Sequence, residues 1–116
     1  MKDKIEKGYL PDWFVYPNDF KTFLSKGNMD FTPWHILLPD SVKEEYEGLK
    51  ERYPNRTLVP FAKRQDNDDV ACWEKDIPKV QIIHDYASPG WEQRKIFNNF
   101  DEWLRSAIDE MLQFEK

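Results

Sequence analysis

Short runs of β-forming residues fill positions 57–97, which read TLVPFAKRQDNDDVACWEKDIPKVQIIHDYASPGWEQRKIF. Clusters of Asn, Asp, Pro and Gly separate the runs, and these residue types favour turns. We therefore predict strands over residues 57–62, 70–73, 79–84 and 91–97. The short links between the runs favour antiparallel pairing of neighbouring strands.

Local patterns inside this stretch indicate how the strands are placed. Val80, Ile82 and Ile83 put apolar side chains on both faces of one strand, which is typical of a central strand. The tetrapeptide Ser88-Pro89-Gly90-Trp91 has Pro and Gly where a type II turn needs them. Upstream, residues 34–38 are expected to add an edge strand or a turn.

The end of the chain carries the clearest helical pattern. Within residues 100–112, apolar side chains recur on one helical face and charged side chains occupy the opposite face. Asn99 is expected to cap the first turn, and Glu102 completes a capping-box pattern. We expect this long amphipathic helix to pack its aromatic stripe on the sheet.

Helical signals also precede the strands. A helix is expected to begin near Asp40 or Ser41, with Glu44 reaching back to a Ser41 cap, and to end at Tyr53-Pro54. A shorter helix is expected after Pro17, because proline suits the first helical position. Its inward-facing residues are expected to be Phe20, Phe23 and Leu24.

These patterns together predict a single α+β domain over residues 1–116. The expected fold is a mainly antiparallel sheet of about four to six strands with helices packed on it, including the long C-terminal helix. Aromatic residues make up 16% of the chain. Their large rings help a domain of this size fill its core.

Composition narrows the classes of function. The chain has 17 Lys and Arg against 22 Asp and Glu, a formal net charge of -5. A net anion is a poor nucleic-acid binder, whereas an acidic surface steers toward a basic partner. The sequence has no apolar run of membrane-spanning or secretory length, and its single cysteine, Cys72, has no partner for an internal disulfide. We therefore expect a cytoplasmic protein without a membrane segment.

The acidic run Asp66-Asn67-Asp68-Asp69 lies between two predicted strands. Such residues can satisfy loop amides through Asx turns, or they can present charge to Arg and Lys of a partner protein. An EF-hand loop starting at Asp66 would need Gly and Glu where this sequence has Ala71 and Ile77. The structural and partner-binding interpretations stay open, and a metal site is disfavoured.

The sequence has no recognisable catalytic centre. His84-Asp85 could suggest a metal or proton-transfer pair, but a metal site needs further ligands, and a structural histidine is the commoner case. Cys72 lies inside a predicted strand and is expected to be a small core residue. We therefore predict no enzyme activity, no cofactor and no metal site.

Three aromatic residues flank the predicted loops: Tyr86 and Trp91 beside the type II turn, and Trp73 after the acidic run. Aromatic residues near loops often anchor interfaces, although most rings of so aromatic a chain belong to its core. Our candidate partner-binding residues are Asp66, Asp68, Asp69, Tyr86 and Trp91.

The order of these segments resembles bacterial members of the SMI1/KNR4 family, which belongs to the SUKH superfamily. The resemblance rests on residues 58–62, the segments 66–73 and 80–86, Trp91-Glu92, and the helix over 100–112, about the last two-thirds of the chain. It implies a single α+β domain of SMI1/KNR4 type. Many bacterial relatives look like immunity proteins that bind and neutralise a toxin, often a nuclease, and the family has no agreed catalytic residues to transfer.

Three interpretations follow from residues and resemblance together. The leading interpretation is a non-catalytic, immunity-type protein that binds a basic toxin. The alternatives are a scaffold or regulatory interaction domain and, further behind, a metal-dependent hydrolase that uses the acidic run with His84. The sequence leaves the partner and the oligomeric state open.

Overall fold

The computed structural model describes residues 10–11, 13–27 and 30–114. Its helices and strands follow one another along the chain as α1 (Asn18–Ser25), β1 (Asp30–Phe31), β2 (Trp34–Ile36), α2 (Pro39–Arg52), β3 (Leu58–Arg64), β4 (Asp69–Glu74), β5 (Ile77–His84), β6 (Gln93–Phe97) and α3 (Phe100–Phe114).

The strands form one six-stranded sheet in which spatial order equals chain order, β1 to β6. Every neighbouring pair is antiparallel. This arrangement confirms the predicted α+β class and the antiparallel meander. The segment at 34–38 supplies β2, and the structure adds the two-residue strand β1 before it.

The sixth strand begins later than predicted because Trp91 belongs to the preceding turn. The N–H of Trp91 donates to the carbonyl of Ser88 at 2.9 Å, and Gly90 has a φ of 98°. A positive φ at the third position is the requirement of a type II turn, and glycine meets it without steric cost. The predicted turn is therefore confirmed, and β6 starts at Gln93.

The sequence predicts the N-terminal cap of α3 correctly and that of α2 incorrectly. Asn99 caps α3 as expected, since its Oδ1 accepts the N–H of Glu102 at 2.8 Å. The Glu102 carboxylate reaches back to the N–H of Asn98 at 2.9 Å instead of that of Asn99. In α2 the predicted Ser41 cap is wrong: the helix begins at Pro39, whose fixed φ and missing N–H suit the first turn.

Alternate residues of the strands feed two core clusters on opposite faces of the sheet. On β4, Ala71 and Trp73 belong to the larger cluster, which also holds buried residues of α1 and α3. Its centre is aromatic, with the ring of Phe61 stacked on Trp73 at 4.4 Å and edge-on to Trp103 at 4.9 Å between centroids.

The smaller cluster covers the opposite face of the same strands. It contains Val70 and Cys72 of β4, Ile83 of β5, and Leu49 of α2 with the following Tyr53. Cys72 is fully buried there, which confirms its predicted place in the core. Among the residues that the structure describes, no helix combines the length and apolar character needed to cross a bilayer.

Candidate functional site

Two loops lie side by side at one end of the sheet, and they carry the sequence-predicted site residues. One is the β3–β4 loop, residues 65–68, and the other is the β5–β6 loop, residues 85–92. The N–H of Asp85 in the second loop donates to the carbonyl of Asp68 in the first at 2.9 Å. We call residues 65–69 and 85–92 the loop end. It brings all five predicted residues to one end of the molecule.

Asp66 is already neutralised inside the chain. Its two carboxylate oxygens accept hydrogen bonds from Nε and Nη2 of Arg64 at 2.8 and 2.9 Å. Hydrogen bonding to the Arg64 guanidinium lowers the pKa of Asp66 below its ordinary value. Next to it, Oδ1 of Asn67 accepts the N–H of Asp69 at 2.8 Å, which is the Asx turn that the structural interpretation predicted.

Asp69 is also held by groups of its own chain. Its Oδ1 accepts a hydrogen bond from Nε of Arg94 at 3.1 Å and lies 3.0 Å from Nδ1 of His84. Nη2 of Arg94 lies 3.1 Å from the same ring nitrogen, so the tautomer of His84 decides whether that nitrogen donates to Asp69 or accepts from Arg94. Asp69 is buried, so an incoming partner would have to displace this cluster to reach its carboxylate.

Asp68 is the acid of the run whose charge remains uncompensated. Its side chain is exposed and makes no ion pair or hydrogen bond with other described residues, while its backbone carbonyl joins the two loops. The acidic run therefore presents one exposed, unpaired carboxylate instead of the three that the sequence suggested.

Two large aromatic side chains of the loop end face solvent. Trp91 is 80% exposed and Tyr86 is 64% exposed. Tyr86 has a φ of 69°, an uncommon backbone conformation for a bulky residue. Its N–H donates to Oδ1 of Asp85 at 2.9 Å, and the guanidinium of Arg52 lies 4.2 Å from its ring centroid. These contacts hold the Tyr86 ring in a defined position.

The C-terminal end of α2 and the turn after it anchor the β5–β6 loop. Nε and Nη2 of Arg52 each donate to the fully buried carboxylate of Asp85 at 2.7 Å. Tyr53 donates its hydroxyl to the carbonyl of Ala87 at 2.8 Å. Nη1 of Arg56 donates to Glu92 at 2.8 Å.

The ion pair with Arg52 changes the pKa of Asp85. Burial by itself raises the pKa of Asp85, but the hydrogen bonds from Arg52 and its other donors outweigh it and leave the pKa below the ordinary value. Asp85 is therefore a charged, structural residue. Sequence reasoning did not find this pair because its members lie 33 positions apart.

The described residues give little support to metal or thiol chemistry. Between residues 10 and 114, leaving out 12, 28 and 29, no group of three or more His, Cys, Asp and Glu side chains is placed to hold a metal ion. Complete burial raises the pKa of the Cys72 thiol well above its usual range. Cys72 is therefore shielded from reagents in the folded protein.

Comparison of the chain with protein-family models, with curated proteins and with solved structures finds no match. The resemblance to the SMI1/KNR4 family stays a prediction from the residues quoted above, and the geometry of the loop end has to support any proposal about function.

Proposed function

We propose that this chain is a non-catalytic protein-binding domain that contacts its partner through the loop end. The observation that carries the proposal is the exposure of Trp91, 80%, on a loop that the end of α2 and the turn after it anchor at several points. Tryptophan is usually largely buried in a folded protein, and it is among the residues most enriched in binding hot spots.

The anchoring of the loop supports the same function. Association costs free energy when it must order a mobile loop. Here the hydrogen bonds from Arg52, Tyr53 and Arg56 hold the β5–β6 loop before any partner arrives. Trp91 and Tyr86 can therefore contribute apolar contact area at a low entropic cost.

The charge of the chain favours a basic partner. The net charge is -5, and Asp68 places an unpaired carboxylate in the loop that lies beside the β5–β6 loop. Complementary charge raises the association rate and suppresses wrong partners more than it raises affinity. In this proposal the two aromatic residues supply most of the affinity, while Asp68 and the net charge steer the encounter. Asp66 and Asp69 would contribute only after breaking their internal pairs.

The finer proposal is an immunity-type role, in which the partner is a toxin such as a nuclease. It is motivated by the SMI1/KNR4 resemblance and by charge, because a nuclease is cationic where it meets phosphates. A scaffold or regulatory interaction domain would use the same surface with a different partner. Co-expression separates the two: a toxin partner arrests growth by itself, and this protein restores growth.

Capture from the source cell tests the binding surface. The bait proteins are the wild type and the double variant Trp91→Ala with Tyr86→Ala, and mass spectrometry identifies a partner that the wild type enriches. With purified partner, we expect the double variant to bind at least about tenfold more weakly, the loss typical of aromatic hot spots. Leu112→Ala with Phe114→Ala, which also truncates exposed apolar side chains, is the matched control.

Two variants of the acidic run test whether the unpaired carboxylate steers association. Asp68→Asn should slow association and weaken its dependence on salt, whereas Asp66→Asn should change the association rate less because Arg64 already neutralises that carboxylate. Equal affinity of the aromatic double variant and the wild type for the partner would contradict the proposed surface.

A further inference from the structure

Strand β6 forms one edge of the sheet. The order of strands ends at β6, which pairs with β5 along the described chain. Its residues Gln93 to Ile96 are exposed and Phe97 is half-buried. An edge strand leaves half of its backbone N–H and C=O groups without ladder partners, so it is a ready template for another strand.

This edge is basic although the chain is acidic. Arg94 and Lys95 are consecutive exposed residues of β6. Arg94 is paired with Asp69. Lys95 makes no ion pair with the other residues that the structure describes. The edge thus carries a free positive charge in a chain of net charge -5.

A cleft of about 140 Å³ opens beside the same strand. Its wall contains Arg64, Arg94 and Lys95 as cations and Asp69 and Glu110 as anions. The indole rings of Trp34 and Trp103 also line it. Arg64 pairs with Asp66 and Glu110, and Arg94 pairs with Asp69, so Lys95 is the cation of this lining that makes no ion pair with other described residues. The lining therefore offers apolar contact beside one available positive charge, which suits a carboxylate on a short aliphatic stem.

We propose that β6 and this cleft form a docking site for an extended acidic segment of a partner protein. The segment adds to the sheet as a further strand, with its backbone bonded to the free edge of β6 and an acidic side chain beside Lys95 and the mouth of the cleft. This mode of recognition takes affinity from the backbone ladder and specificity from the side chains.

Charge argues against a second copy of this chain as the occupant. Antiparallel self-pairing of β6 centred on Lys95 places Lys95 opposite its own copy, and a register shifted by one residue places it opposite Arg94. Like charges directly opposite each other destabilise a strand pair. Nucleic acid is disfavoured by the net negative charge of the chain.

Titration with a short synthetic peptide that alternates Glu and Val tests the proposal. Backbone amide NMR should show shift changes and slowed hydrogen exchange at residues 93–97. A peptide of the same charge with Pro at alternate positions should fail to bind, because proline removes the N–H donors that a ladder needs. A peptide with Lys in place of Glu should also fail.

Variants of the protein separate the edge from the loop end. Lys95→Glu should weaken the acidic peptide roughly tenfold, and Lys43→Glu, an exposed site on α2, should leave it unchanged. Neither variant touches Trp91, Tyr86 or Asp68, so this proposal and the proposed function fail separately.

Three outcomes would overturn the inference. The first is an absence of amide protection in β6 at millimolar peptide. The second is equal binding of the proline-containing peptide, which would reduce the effect to charge alone. The third is equally tight binding of a short single-stranded DNA, which would show that any polyanion suffices.

Discussion

Glu45 lies on α2 with its carboxyl group among charged neighbours. Its Oε1 is 3.2 Å from Nζ of Lys63, and its Oε2 is 3.8 Å from Nη2 of Arg52. Oε2 is buried and lacks a hydrogen-bond partner among the described residues. Burial, followed by the hydrogen bond and charge of Asp85, raises the pKa of Glu45 to about 7 against the opposing effect of Lys63. A protonated Glu45 can donate to the Asp85 carboxylate, which explains the orphaned oxygen.

This raised pKa predicts a dependence of stability on pH. The folded protein holds the Glu45 proton more tightly than the unfolded chain, whose value is near 4.5. The resulting stabilisation is complete below that value and is lost as pH rises through about 7. We expect the free energy of unfolding to fall by on the order of 2 kcal/mol between about pH 5 and about pH 8, as measured by urea denaturation.

Glu45→Gln checks the origin of that fall. The amide can donate to Asp85 at every pH, so the variant should lose most of the dependence and be more stable than the wild type at about pH 8. Glu44→Gln alters an exposed neighbour on α2 and should behave like the wild type. The lowered pKa of Asp85 acts in a separate window, since its contribution is lost only as pH falls below its ordinary 3.8. Wild-type stability that stays flat from about pH 5 to about pH 8 would refute the assignment.

For single residues, the sequence pattern predicted which side chains are buried better than it predicted which side chains form ion pairs with each other. Cys72 was expected in the core because it sits among apolar strand residues, and the structure confirms it. Whether a carboxylate of the acidic run is available to a partner depends on its ion pairs within the chain, and no spacing rule predicts the pair that holds Asp69. Asp69 meets Arg94 across 25 positions. Such pairs are set by strand register, which the sequence does not state.

The cap at the N-terminus of α3 predicts how much stability a single capping side chain contributes to this helix. Asn99→Ala removes the side-chain acceptor for the N–H of Glu102. We expect the free energy of unfolding to drop by about 1 kcal/mol, the usual cost of a lost cap. Asn98→Ala removes an exposed 3.1 Å contact between Nδ2 and Glu102 and should cost less than about 0.5 kcal/mol. Equal losses in the two variants, measured by urea denaturation, would argue against Asn99 as the cap.

Elements with a long periodic pattern were predictable. The segment over 34–38, which supplies β2, was predicted as either an edge strand or a turn, and the shortest strand, β1, was not predicted. The predicted strands match β3, β4 and β5 because each has alternating or continuous apolar residues bounded by turn signals. Strand β6 reads QRKIF without such a pattern, and its start at Gln93 was predicted two residues too early. Strand β1 spans two residues, too few for a period to show. At the start of α2, Pro39 acts through its backbone geometry, whereas a side-chain cap at Ser41 was the expected signal.

Two tryptophans at opposite extremes of exposure are expected to contribute very differently to the stability of the whole molecule. Trp103 is 1% exposed and packs against Phe61 and Trp34, whereas Trp91 is 80% exposed. We expect Trp103→Ala to lower the free energy of unfolding by roughly 3–5 kcal/mol, because the lost ring leaves a cavity in the aromatic core.

Trp91→Ala should change the same free energy by less than about 0.5 kcal/mol. Thermal or urea denaturation of the two variants, beside the wild type, measures the contrast. A large loss of stability in Trp91→Ala would mean that this ring supports the fold, and its exposure would then no longer argue for a binding surface.

For the whole molecule, the α+β class and the antiparallel meander were predictable because the links between β3, β4, β5 and β6 are short. The clamp of α2 on the β5–β6 loop was not. It joins Arg52 of α2, with Tyr53 and Arg56 of the turn after it, to loop residues 33 to 36 positions further along the chain, after three intervening strands. It nevertheless holds the loop that presents Tyr86 and Trp91 to solvent.

The placement of α3 has a consequence for biosynthesis. Phe100 and Trp103 contact Phe20, Phe61 and Trp34, so the last described helix covers rings contributed by α1, β2 and β3. While α3 of a nascent chain is still inside the ribosome, the strands can form their hairpins in order. The aromatic rings that α3 later covers stay exposed to solvent during that time. Chaperones that recognise exposed aromatic surface have their longest opportunity in that interval, which ends when α3 emerges and docks.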